Sequence, residues 1–317
     1  MLYSALQEMI MKKVNIIKIT GTVVAALFIA GCLFSNSANA ESKVAGKNEV
    51  ASKEIAKDKA GKKKSRGEKR SPVVMGSIEK REAALKASFR RAGISQDDAD
   101  DIFSDERIEL YYNIYAPPAL KEGEKKKKKL SYFDEEFGLF KPESIESGKR
   151  IIADNKELFD KIESFYGVPA NYIVSIIRIE TDFKKHLGKY SVFNALYTMS
   201  MLDKRAKRVE MANRELVTWV RMCKRRDMDP FATKGSWAGA FGIPQFMPSS
   251  YVTFAVDYND DGKTDLNDYP DAFASIANYL YRVGWKTGNE KKMRRAVYNY
   301  NHEKAYVNAV FAYAGRI

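Results

Sequence analysis

A single spacing narrows the fold more than any other feature. From Pro72 to the C-terminus, apolar residues recur at three- and four-residue intervals over 77–91, 146–165, 170–185, 203–226, 272–283 and 291–313. That repeat lines one face of an α-helix. No stretch shows the sustained alternation of a β-sandwich strand. The chain is therefore expected to be mainly α, with short strands or irregular loops near 235–251. No internal repeat is evident.

One of these stripes carries an anomaly. In ANYIVSIIRIETDF, residues 170–183, Ile173, Ile176, Ile177 and Glu180 share a helix face at about 100° per residue. An isolated ionised carboxylate on a buried face is costly to desolvate, so Glu180 must be paired, open to a cleft, or held neutral with a raised pKa. The third state is what an acid catalyst needs. Glycosidases usually flank the scissile bond with two carboxyl groups. The acid nearest in sequence, Asp182, lies about 200° around the helix from Glu180 and should face elsewhere. Unless a distant Asp folds back, Glu180 is a lone acid, and a substrate would have to supply its own nucleophile. A plainer alternative stays open, in which Glu180 near a helix end is satisfied by Lys184 at i+4.

A second pattern is DYNDDGKTDLND, residues 257–268. Asp257, Asn259, Asp261 and Asp265 place side-chain oxygens at loop positions 1, 3, 5 and 9, Gly262 stands where the chain must turn sharply, and Lys263 offers a carbonyl at position 7. Those are the donors a hard cation such as Ca2+ requires, as in a single EF-hand-like loop. Position 12 is Asp268 rather than the longer Glu, and Asp271 at the start of the next expected helix is the rival closing ligand. The alternative is an acidic polar turn without metal. A lone loop of this kind suits a structural clamp better than a sensor.

The third pattern is GSWAGAFGIPQFMPSSY, residues 235–251. Its small residues allow close backbone approach, while Trp237, Phe241, Phe246 and Tyr251 offer flat faces of the kind sugars stack on. Such a segment also packs ordinary helix junctions, so on its own it does not choose between the two.

Composition bounds the remainder. At 317 residues, 45% hydrophobic and 12% aromatic, the chain can bury a substantial core as one large domain or two small ones. Of its formal charge of +13, eight charges precede Pro72, which argues against a nucleic-acid-binding body. Residues 1–40 read as a signal peptide: Met11-Lys12-Lys13 is a basic start, 23–30 is apolar but shorter than the ~20 residues of a spanning helix, and Ala38-Asn39-Ala40 is a small-residue cleavage pattern. Within it, Ile29-Ala30-Gly31-Cys32 resembles the bacterial lipobox, which implies lipidation of Cys32 and attachment to a membrane. A soluble product starting at Glu41 is the competing expectation. Residues 41–71, rich in Lys, Ala, Ser and Gly, read as a flexible basic tether. Residues 72–317 read as the functional domain, with a helical N-terminal part over 72–165, and the lysine run 125–129 as a solvated loop. Cys223 reads as a packed small residue, and the two histidines, His186 and His302, argue against a zinc site.

Taken in order, YGVP at 166–169, IRIET at 177–181, KGSWAG at 234–239, GIPQFMPSSY at 242–251, the aspartate loop, ANYL at 277–280 and YNYNH at 298–302 resemble the lytic murein transglycosylases of the membrane-bound B type, which have a lysozyme-like core. The resemblance runs from about Ser88 to the C-terminus. It implies that Glu180 is the catalytic acid, that the Ser236 hydroxyl contacts it, and that Gln245, Tyr279, Tyr300, Asn301 and Tyr306 line a saccharide groove. It also implies that Asp257, Asn259, Asp261, Lys263 and Asp268 or Asp271 hold Ca2+, with Asp271 favoured as the closing ligand. The implied partner is the glycan strand of peptidoglycan in the bacterial periplasm or envelope. Glu180 would protonate the oxygen between N-acetylmuramic acid and N-acetylglucosamine and then take the proton of the muramyl 6-hydroxyl, leaving a 1,6-anhydro sugar. Two departures stand out: Arg205-Ala206 where the family has adjacent arginines, and Tyr132-Phe133 where it has Tyr-Arg. A hydrolase of the same polymer and a non-catalytic wall-binding scaffold are the rival readings.

Overall fold

Why this sequence breaks into short helices is visible at their ends. In the computed structural model, which describes residues 78–115 and 130–317, Ser95 accepts the Asp98 N–H and opens a helix over Gln96–Ser104. That is an N-cap worth about 1 kcal/mol. Gly167, left-handed at φ 66°, ends Lys156–Tyr166, and two residues on Pro169 opens Ala170–Thr181. The YGVP stretch is thus the joint between two helices, and the Trp285 indole N–H clips it by donating to Gly167 O at 3.0 Å. Residues 1–40 with Cys32, expected as a signal peptide, residues 41–71, expected as a tether, and the lysine run 125–129 lie outside the described residues.

In chain order the helices are α1 (Ile78–Arg91), α2 (Gln96–Ser104), α3 (Tyr112–Tyr115), α4 (Pro142–Asp154), α5 (Lys156–Tyr166), α6 (Ala170–Thr181), α7 (Val192–Leu202), α8 (Ala206–Arg225), α9 (Pro248–Phe254), α10 (Tyr269–Arg282), α11 (Glu290–Tyr300) and α12 (Lys304–Ala314). A single 3-10 turn covers Glu135–Phe137. All belong to one unit, Lys69–Ile317. None of the described helices is long and apolar enough to cross a membrane.

Two large apolar cores and a smaller one around Leu139, Ala309 and Tyr313 share the interior of the described residues. In the first, α6 and α10 meet α5, α11 and α12 around Ile173, Ile176, Ile177, Phe273, Ile276 and Val310. In the second, α1, α7 and α8 meet around Leu85, Phe89, Phe193, Leu196 and Trp219. Helix α7 is buried from Val192 to Met201, as a helix apolar on all sides must be. Arg81 of α1 donates to the carbonyls of Ser200, Met201 and Asp203, satisfying the open C-terminal end of α7.

The strand content is as slight as the periodicity predicts. Tyr190–Ser191 (β1) pairs antiparallel with Lys234–Gly235 (β2), and bridges Gly235–Phe241 and Phe241–Phe246 fold the following residues into a small meander. The expected helices 146–165 and 291–313 are each two in the structure. Asn155 interrupts the first and donates its side-chain amide to Ile151 O. Residues 301–303 interrupt the second. The expected helix 170–185 stops at Thr181, because Asp182, Phe183 and Lys184 all take left-handed φ values of 46°, 56° and 75°.

Candidate active site

The helix α6 delivers its anomalous carboxylate at its C-terminal end. Ile173, Ile176 and Ile177 are buried on the stripe that carries Glu180, while Glu180 itself is only partly exposed. Its Oε1 accepts the Tyr306 hydroxyl at 2.7 Å. Desolvation pushes the Glu180 carboxyl up to about 7, and the Tyr306 hydrogen bond opposes that rise. The protein atoms packed around its carboxyl decide its protonation.

Its sequence neighbours turn away. Asp182 pairs with Arg178 Nε at 3.2 Å and with Lys185 Nζ at 3.1 Å. Arg178, 6% exposed, also donates to Ser144 Oγ and to Phe137 O, so the Asp182 side is a structural network behind the acid. Lys184 places its ammonium 4.0 Å from the Tyr269 ring centroid. The i+4 ion pair that periodicity allowed is absent among the described residues. The left-handed turn at 182–184 explains why: helical i+4 geometry ends before Lys184. Non-glycine residues pay about 1–2 kcal/mol each for such a conformation, strain that recurs at functional sites.

Facing Glu180 is a wall of tyrosines. Tyr306, 1% exposed, lies near-parallel to Tyr300 with ring centroids 6.4 Å apart at 8°. Tyr279 meets Tyr300 edge-on at 4.8 Å. Each hydroxyl is anchored: Tyr300 donates to Pro244 O at 2.6 Å and Tyr279 to Asn299 O at 2.7 Å. Burial, and after it the nearby Glu180 carboxylate, holds the Tyr300 and Tyr306 hydroxyls well above the usual phenol range. They act as hydrogen-bond donors, not as bases.

The other residues singled out from the sequence have definite places. Gln245, at φ 50°, donates its amide to Leu187 O at 3.2 Å and to Gly242 O at 2.9 Å, one residue beyond the carbonyl that receives Tyr300. Ser236 Oγ accepts the Ala240 N–H at 3.1 Å and closes the turn that carries Trp237. Asn301 ends α11, between Tyr300 and Tyr306 in the chain. Of the four aromatic faces in 235–251, Phe241, Phe246 and Tyr251 enter the core, and Trp237 stands 43% exposed beneath the Arg208 guanidinium at 5.1 Å. Periodicity did not single out Tyr132. Its ring meets Tyr306 edge-on at 6.0 Å and 80°.

Glycines set how closely the backbone of 235–251 approaches its neighbours. A Cβ on Gly188 would lie 2.0 Å from Gly235 C, and one on Gly242, at φ +72°, 2.4 Å from Leu266 Cβ. The Gly242 approach ties the site to the acidic loop, since Ile243 N–H donates to Leu266 O at 2.9 Å.

That loop turns on Gly262 at φ +83°. Asp257 accepts the N–H groups of Asp261 and Gly262, Asn259 accepts that of Asp261, and Asp261 accepts that of Lys263. Asp271, 1% exposed in the first turn of α10, accepts Tyr258 N–H and Asp265 N–H at 2.8 Å each and so spans the loop. Asp268 is the residue before that helix and makes no side-chain cap. Desolvation raises the Asp271 carboxyl and the charge of Asp257 adds to the rise, a strain that a cation would relieve. The oxygen donors therefore fit a hard cation in kind. No three His, Cys, Asp or Glu side chains among the described residues stand close enough together to ligate one.

Residues 77–294 match the family described as the transglycosylase SLT domain. The chain is similar to membrane-bound lytic murein transglycosylase B of Escherichia coli (strain K12), with 38% identity over 149 residues, 47% of this chain and 41% of that one. The matched segment thus spans less than half of the curated relative. The structure is similar to that of a soluble lytic transglycosylase of Pseudomonas aeruginosa, with a TM-score of 0.64 and 23% identity over 74% of this chain and 97% of the other. It is also similar to an Escherichia coli lytic transglycosylase in complex with calcium, with a TM-score of 0.60 and 21% identity over 74% and 92%. At these identities the structural matches establish a shared, mainly helical fold.

Proposed function

The chain belongs to the transglycosylase SLT domain family, and from that premise we propose that it cleaves the N-acetylmuramic acid to N-acetylglucosamine bond of peptidoglycan, leaving 1,6-anhydromuramic acid ends. The observation that carries the reading is the state of Glu180: a carboxyl brought to about 7 by desolvation, hydrogen-bonded to Tyr306, with the nearest acid in sequence, Asp182, committed to Arg178.

A proton near neutrality is what the first step uses. Glu180 gives it to the glycosidic oxygen as the bond to the anomeric carbon breaks, and the neighbouring N-acetyl group steadies the charge that develops there. The glutamate, now ionised, removes the proton of the muramyl 6-hydroxyl as that oxygen closes on the same carbon. The proton returns to Glu180, no water is consumed, and no second acid is required. Tyr306 orients the carboxyl through Oε1, leaving the other oxygen for transfer. Tyr279, Tyr300, Asn301, Gln245 and Ser236 form the saccharide groove around it, with the tyrosine hydroxyls fixed by carbonyls before substrate arrives.

The acidic loop would hold a structural calcium ion, with Asp257, Asn259, Asp261 and the Lys263 carbonyl as ligands and Asp271, rather than Asp268, closing it. The two loop-spanning hydrogen bonds of Asp271 support that choice. Bound there, the cation would brace the loop whose Leu266 carbonyl holds Ile243 beside the site. At the other end of the chain, residues 1–40 export the protein and Cys32 anchors it by lipid in the cell envelope, with 41–71 as tether. Incubating purified sacculi with the protein and with a Glu180→Gln variant tests the activity. Soluble fragments are released by the first and not the second, and release by both overturns the assignment of Glu180.

A further inference from the structure

Tyr306 reaches Glu180 from the third residue of α12, and the residue that opens this helix is Glu303. Residues chosen to cap a helix use a short side chain that bends back onto the first N–H groups. Glu303 makes no such cap. Its Oε2 instead accepts the Tyr132 hydroxyl at 3.2 Å, bridging 171 residues of sequence. Tyr132 sits just before the 3-10 turn, on a bend braced by Ser131 N–H to Asp134 Oδ2 at 2.8 Å and Asp134 N–H to Ser131 O at 3.1 Å. Its ring stands edge-on to Phe137 at 5.3 Å and to Tyr306 at 6.0 Å, and Tyr300 lies near-parallel to Tyr306 at 6.4 Å. The phenol that touches the acid is therefore in contact with two rings, and one of them, Tyr132, is hydrogen-bonded to a carboxylate. Edge-to-face contacts hold only while both rings keep their places, and the hydrogen bond to Glu303, long at 3.2 Å, is the polar contact that fixes the Tyr132 hydroxyl.

We propose that Glu303 is a positioning residue: by accepting the Tyr132 hydroxyl it locks the Tyr132 ring against Tyr306 and so keeps the Tyr306 hydroxyl on Glu180 Oε1. The pair acts as a strap, joining the segment before α4 to the start of α12 across the side of the acid. It rests on the function proposed above and adds to it a residue that acts through Tyr132 and Tyr306. Among the described residues, Tyr306 is the side chain that hydrogen-bonds Glu180, and burial, with the charge of Glu180 adding to it, raises the hydroxyls of Tyr306, Tyr300 and Tyr132.

The test uses full-length Glu303→Ala, Glu303→Gln, Tyr132→Phe and Tyr306→Phe proteins with two readouts, turnover on saturating sacculi and the Glu180 carboxyl titration followed by 13C NMR. Glu303→Ala and Tyr132→Phe are each expected to lower kcat by about tenfold with little change in KM. Glu303→Gln, whose amide oxygen still accepts the Tyr132 hydroxyl, recovers most of that loss. In Glu303→Ala the Glu180 titration moves upward, as it does in Tyr306→Phe, because a hydrogen bond to the ionised form is weakened. Adding Glu303→Ala to Tyr306→Phe changes neither readout further. An unmoved titration in both Glu303→Ala and Tyr132→Phe, or a full additional loss in the Tyr306→Phe background, overturns the proposal. If the unsubstituted protein releases nothing from sacculi, the proposed function fails, and the titration still decides the role of Glu303.

Discussion

Glu180→Gln should make this protein more stable at neutral pH, and the gain should vanish in acid. Burial raises the Glu180 carboxyl from 4.5 to about 7. Between those values the folded chain holds a proton that the unfolded chain has released, so stability falls as pH rises through the window. Below about 4.5 both states are protonated and the group contributes nothing. Above about 7 both are ionised, and the folded state carries the whole desolvation cost. A displacement of that size corresponds to about 3 kcal/mol. Glutamine is neutral at every pH and keeps an oxygen for the Tyr306 hydroxyl, so it removes the cost without removing the hydrogen bond. Urea unfolding of both proteins at pH 4 and pH 8 measures the effect, read as the difference in midpoint at an unchanged slope. The two should unfold together at pH 4, and the variant should be the more stable by about 3 kcal/mol at pH 8. A difference that is the same at both pH values would refute the claim that burial sets the protonation of this acid.

Two other perturbations probe the surroundings of the site. Gly242→Ala sets a Cβ 2.4 Å from Leu266 Cβ on a backbone at φ +72°, and it should lower stability by about 3 kcal/mol or more, visible as a large drop in melting temperature; a melt within a degree of the parent would show that this approach is not tight. Millimolar calcium should raise the melting temperature over that in chelator by about 5 °C or more, and Asp257→Ala should abolish the difference. A melt indifferent to calcium would leave 257–268 as a plain polar turn.

Much of the acid's setting was legible because helical geometry is local. Ile173, Ile176 and Ile177 predict a buried stripe, the same angles put Glu180 on it, and the 200° offset sends Asp182 to the other side, where Arg178 holds it. What periodicity missed depends on conformations or partners it does not encode. The turn at Asp182, Phe183 and Lys184 is left-handed without a glycine, so the stripe reads on to Lys185 and offers Glu180 an ion pair the fold does not make. The aromatic faces of 235–251 looked alike in sequence, yet the bridges of the meander turn Phe241 and Phe246 inward and leave Trp237 outside. The breaks at Asn155 and at 301–303 interrupt stripes that stay in phase, and the second is consequential because it sets Glu303 and Tyr306 at the head of a new helix. Tyr132 comes from far upstream, and its place against Tyr306 follows only from the packed fold. The clearest available signal for it was the departure from the family's Tyr-Arg pattern at Tyr132-Phe133.

The central claim is that one acid, unaided by a second, closes the sugar on its own 6-hydroxyl. Mass spectrometry of the fragments released from purified sacculi measures that directly. The account predicts muramic acid ends lacking one water, in the 1,6-anhydro form. Ends carrying that water, as free reducing muramic acid, would contradict it and identify a hydrolase.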